Sequence, residues 1–93
     1  MIARSTLDSL SDAILAHLAA DPDLIGSLAA ETGIAPADLR AAAGDPGEGF
    51  AAALVDFICG SDERLTGFAA ASGWRETEVA RVRAALDAGM IAR

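Results

Sequence analysis

Apolar residues recur along this chain at spacings of three and four, and short breakers close each run. Leu7, Leu10, Ile14, Leu15 and Leu18 fall on one stripe of a helix, while Asp8, Ser9, Asp12 and Ala16 fall on the other side. This predicts a first helix over about Leu7–Ala20, with Thr6 or Ser5 as its N-cap. Asp21-Pro22 stops that helix and opens the next. Asp21 offers oxygen to free N–H groups, and Pro22 suits the first helical position. The second helix carries Leu24, Ile25 and Leu28 and ends at Thr32-Gly33, where glycine takes the left-handed conformation past a helix end. A third, short helix is predicted from Pro36 through Leu39 into Ala41–Ala43.

Gly44-Asp45-Pro46-Gly47-Glu48-Gly49 is the strongest break, and it reads as a connector. Beyond it a fourth helix is predicted over about Phe50–Cys59, with Phe50, Leu54, Phe57 and Ile58 inward. Ser61 caps a fifth, whose first turn holds Asp62 and Glu63 at the favourable end of the dipole. Leu65, Phe68 and Ala69 form its apolar face, and Ser72-Gly73 ends it. A sixth helix runs from about Glu76 to Ala88 with Val79, Val82 and Leu86 inward, and stops at Gly89.

The expected fold is therefore all-α: one helical domain over residues 1–93, with about six short helices in two similar halves, 7–43 and 50–88, joined by the connector 44–49. The halves align at an offset of 40 residues. Leu28-Ala29-Ala30-Glu31-Thr32-Gly33-Ile34 matches Phe68-Ala69-Ala70-Ala71-Ser72-Gly73-Trp74, Asp38-Leu39 matches Glu78-Val79, and Ile14-Leu15 with Leu18 matches Leu54-Val55 with Ile58. The pattern fits an internal duplication, with each copy burying its stripe against the other.

Composition narrows the picture. The apolar half divides into 23 alanines, one cysteine and 25 larger residues, which favours close helix packing over a bulky core. With no Tyr and few β-branched residues, a sheet is poorly supported. Seven arginines stand against 14 acids, a net charge of −7, which argues against general affinity for a polyanion. The single cysteine excludes an internal disulfide, so a reducing cytosol is expected. The first residues lack the apolar stretch of a signal peptide, and no run approaches the roughly 18 apolar residues of a membrane span.

Asp21-Pro22 after an Ala-rich helix, Leu28 to Thr32-Gly33-Ile34 with Pro36 and Leu39, Phe50 to Phe57-Ile58, and Phe68 to Gly73-Trp74 together resemble the domain-of-unknown-function 3572 family. That family consists of small all-helical proteins of alphaproteobacteria. The resemblance covers about Leu10 to Leu86 and implies an all-helical fold in a bacterial cytosol. It brings no activity, ligand or site residue.

Few side chains offer chemistry. His17 is the sole histidine, lies beside the apolar stripe, and is expected to be a packed or partly exposed structural residue. One His, one Cys and scattered carboxylates give no zinc or calcium spacing, so no metal, cofactor or catalytic residue is expected. Cys59, at a helix C-terminus, is expected to behave as a small structural hydrophobe with a disfavoured thiolate. The 44–49 segment lacks the Gly-Lys-Ser ending of a phosphate loop, and Asp45 and Glu48 would repel phosphate. Leu24 to Ala42 has a helix-turn-helix outline, yet its second helix offers only Arg40 against Asp38. The last helix has Arg75, Arg81 and Arg83 with Glu76 and Glu78 in its first turn. Nucleic acid is an unfavoured partner on these grounds, and the arginines read as exposed salt bridges. Trp74 is expected in the core near Phe68 or Val79, with an exposed partner anchor as the competing role.

The functional expectation is a non-enzymatic protein-interaction or adaptor module of a bacterial cytosol, binding another protein or a second copy, with no membrane contact. The alternative is a helix-turn-helix-like DNA-binding or transcription-linked domain.

Overall fold

The computed structural model describes residues 3–33, 35, 37 and 48–89. Among these the fold is all-helical, with five helices: α1 (Arg4–Ala19), α2 (Pro22–Thr32), α3 (Glu48–Cys59), α4 (Asp62–Ser72) and α5 (Glu76–Asp87). Of the expected helix from Pro36 to Ala43 only Ala37 is described, and it is helical; the rest, Arg40 included, and residues 44–47 of the connector lie outside the described residues. The remainder of the expected connector is helical, because α3 begins at Glu48 rather than Phe50.

Helix α1 starts three residues earlier than its sequence pattern predicts. Its N-cap is Ala3, which makes no side-chain cap bond, and Ser5 and Thr6 are helical instead. One turn on, Arg4 Nε donates to Asp8 Oδ1 at 3.3 Å, an i,i+4 bond that suits an extended first turn. The inward stripe follows the expected register: Leu7, Leu10, Ile14 and Leu18 are buried. Ser11 joins them because its hydroxyl donates to the Leu7 carbonyl at 2.9 Å, satisfying a polar group that would otherwise be costly inside.

The next boundary is set by side-chain chemistry. Asp21 Oδ1 accepts from the Asp23 N–H at 3.1 Å, Pro22 occupies the first turn, and α2 leaves α1 at a bend of 115°. Ser61 plays the Asp21 role for α4, its Oγ accepting from the Arg64 N–H at 3.4 Å. Gly33 and Gly73 end α2 and α4 at φ of 74° and 81°, each closing onto the carbonyl four residues back. A Cβ at either glycine would meet no neighbouring atom. Gly33→Ala and Gly73→Ala should therefore each cost about 1 kcal/mol through backbone strain alone. Urea denaturation of both variants checks this, and an unchanged midpoint would refute it.

Helix α3 is the hub. Ala51, Leu54, Val55, Phe57 and Ile58 are all buried, a broader inward face than the four positions expected, and Phe50 is half-buried. It packs on α1, α4 and α5, while α1 also holds α2 and α4. Fully buried Phe68 of α4 and Val79 of α5 complete one core with Leu28 of α2. Among the described residues no single helix is long and apolar enough to cross a membrane.

The 40-residue offset recurs in helix bounds and in the order of burial. Helices 22–32 and 62–72 have equal length, are capped alike at both ends, and repeat one order of buried, half-buried and exposed positions from 21–33 to 61–73. Helices α1 and α3 end at corresponding residues, Ala19 and Cys59.

Candidate functional site

The last turns of α1 and α4 lie side by side and leave an open groove of about 320 Å³. Ala13, Ala16, His17 and Ala20 form one wall, Ala71 and Ser72 the other. The groove's walls are mostly single methyl groups, too short to fill the space between helix ends that the core positions. His17 is half-buried and sets its ring edge-on to Phe68, centroids 5.5 Å apart at 72°. The histidine thus belongs to the core margin, as its place beside the stripe predicts. Its ring also lines the groove.

A second cluster joins α2, α3 and α4. Arg64 projects from the first turn of α4, and its guanidinium carbon stands 4.1 Å from the centroid of the Phe57 ring. Its Nη1 donates to Glu31 Oε2 and its Nη2 to Glu31 Oε1 at 3.3 Å, a two-pronged pair across 33 residues of sequence. The hydrogen bond from Arg64 holds the Glu31 carboxyl below its ordinary pKa; desolvation opposes it, and the positive charge of Arg64 adds a smaller lowering. Arg64 is only 16% exposed, and its Nε is buried without a hydrogen-bond partner. Arg64, which the sequence reading does not single out, is an inward-facing packing residue. Its position was the available signal, since it stands four residues before Phe68 on the stripe of α4 and matches Leu24 at the 40-residue offset.

Cys59 is half-buried on a second groove of about 300 Å³, with Leu65, Ala80, Arg83, Ala84 and Asp87. Burial pushes its thiol pKa up. Nearby Arg83 opposes this, and Asp56 and Asp87 reinforce it. That direction agrees with a structural rather than a nucleophilic cysteine.

Trp74 departs from expectation. It is half-buried at the core edge rather than enclosed, and lines a cleft of about 60 Å³ with Thr6, Glu78, Arg81 and Val82. The chain turns outward after Gly73, and the Trp74 N–H donates to Ser72 Oγ at 3.2 Å, so the indole reaches the start of α1. Trp74→Ala should then cost about 1–2 kcal/mol, well below the loss for a fully enclosed aromatic ring. The wild-type emission maximum should fall between those of buried and hydrated indole. A fully water-like emission with an unchanged denaturation midpoint would overturn this placement.

On α5 the arginines are engaged or interleaved with acids. Arg83 Nε donates to Asp56 Oδ1 at 3.1 Å. The backbone N–H of Arg75, the residue before α5, donates to Glu78 Oε1 at 3.3 Å, and Glu76 Oε1 accepts from the Thr66 hydroxyl at 2.8 Å. Arg81 is exposed beside Glu78 in the Trp74 cleft. Among the described residues no group of three His, Cys, Asp or Glu side chains could hold a metal ion.

With five short helices and these surfaces in view, residues 4–89 match the family model described as "Protein of unknown function (DUF3572)". The chain belongs to the DUF3572 family. The match spans nearly the whole chain, from the first residue of α1 to the glycine that follows α5. No curated protein and no solved structure matches this DUF3572 chain.

Proposed function

We propose that the chain is a non-enzymatic protein-interaction module of a bacterial cytosol, and that its partner contacts the groove between the last turns of α1 and α4. The observation that carries this reading is the groove itself. It is open, of a size to admit a side chain, and mostly alanine-walled, on helices held by one continuous core. Rigid apolar recesses of this kind accept a protruding side chain with little ordering cost. The net charge of −7 favours a basic partner surface.

A photo-crosslinking residue placed at position 16, at the groove, and at position 77, on the exposed start of α5, tests this in the native host. Position 16 should capture one defined polypeptide that position 77 does not. Equal capture from both positions would overturn the groove assignment. Titration with a pool of DNA duplexes at low salt addresses the helix-turn-helix alternative. No binding is expected, and micromolar affinity that falls steeply with salt would replace the interaction reading with DNA binding.

A further inference from the structure

Residues of the Arg64 cluster and residues of the open groove are related by the 40-residue offset. Across the 40-residue offset, Phe57, Gly60 and Arg64 shift back onto His17, Ala20 and Leu24, while Glu31 shifts forward onto Ala71. Three of these counterparts, His17, Ala20 and Ala71, are walls of the groove. In the filled site the guanidinium stacks on Phe57, is held by Glu31, and lies so near Gly60 that a Cβ there would come within 3.1 Å of Nη2. In the other half Leu24 packs against the core and does not line the groove, which is open.

From this correspondence we infer that the groove receives the arginine side chain of a protein partner, in the place that Arg64 fills from within the chain. The inference rests on the protein-interaction reading and names the chemistry of the recognised side chain. An aromatic ring is retained, His17 for Phe57, and a planar guanidinium stacks on such rings as an ammonium does not. Both sites adjoin two helix C-terminal turns, α3 with α2 in the filled site and α1 with α4 in the open one, and each also adjoins the start of the following helix, α4 or α2, whose dipole acts in the opposite sense. Glu31 has no counterpart carboxylate, since Ala71 stands in its place. The acids nearest in sequence to the α1 wall are Asp12 and Asp21, next to Ala13 and Ala20, and the chain as a whole is strongly acidic. Ala20 adds a methyl where Gly60 has none, so an arriving guanidinium must sit further from the α1 wall than Arg64 sits from Gly60.

The test is a methyl and amide NMR titration of the full chain at low salt with N-acetyl-arginine methylamide, and with its lysine and norleucine analogues. The arginine probe should give saturable shifts at the His17 ring and at the methyls of Ala16, Ala20 and Ala71, with the other two probes several-fold weaker. Ala71→Glu restores the missing carboxylate at an exposed position and should tighten arginine binding about fivefold, the upper range for an exposed ion pair. Ala71→Lys should abolish the shifts. Equal response to norleucine would make the groove a plain apolar slot and overturn the inference, as would unaltered arginine binding in Ala71→Glu or no groove shifts at all. Crosslinking from position 16 that persists in any of those cases would leave the interaction reading standing, so the two failures are distinguishable.

Discussion

Phe68→Ala should lower the unfolding free energy by about 3–5 kcal/mol. The ring is fully buried, and it lies where α4 meets α1, with the His17 ring against it. Truncation removes the transfer energy of the ring and leaves a void that helices fixed by their own hydrogen bonds cannot collapse to fill. A domain of this length holds only about 5–14 kcal/mol in total, so the variant loses a large share of its stability. Guanidinium denaturation followed by helical circular dichroism measures the difference. Phe68→Leu, which keeps most of the volume, should recover the greater part. A loss below about 1 kcal/mol in Phe68→Ala would show that the ring is not enclosed.

Arg64→Ala is expected to cost about 2–3 kcal/mol, far more than a surface arginine. The guanidinium over Phe57 is sheltered from water, where such contacts reach about 2 kcal/mol, and the stem of the side chain is buried with it. Arg64→Lys should recover less than half, because an ammonium neither stacks flat on the ring nor grips both carboxylate oxygens. Glu31→Gln should have a smaller effect with its own pH signature. The Glu31 pKa is depressed in the folded chain, so its contribution is present above the ordinary carboxylate pKa and is lost as pH falls through the folded value. Stability curves of wild type and Glu31→Gln should therefore converge in acid. Parallel curves down to low pH would detach Glu31 from Arg64.

How much of this was legible in the sequence differs from residue to residue for physical reasons. Asp21-Pro22, Ser61, Gly33 and Gly73 act on the backbone within a turn of themselves, so local chemistry alone places the ends of α2 and α4. The start of α1 was placed too late because Ser5 and Thr6 are good caps that the helix does not use. Val55 and Ala51 were missed as core because a helix covered on three sides has no single stripe, and period counting assumes one. The groove was not legible. It depends on two helix ends 51 or more residues apart in the chain, and alanines that line space look the same in sequence as alanines that fill it. Arg64 was half legible, as a charge on an apolar stripe, but its partner Glu31 is fixed only by tertiary structure.

The central position of α3 also bears on how the chain comes to be folded during synthesis. Helix α1 leaves the ribosome before α3 and α4, yet its apolar stripe finds much of its cover in them. The first 47 residues therefore wait with Leu7, Leu10, Ile14 and Leu18 exposed to whatever else is nascent or sticky nearby. A ribosome stalled before α3 would present a chaperone substrate, and one stalled after α4 would release a chain able to close most of its core.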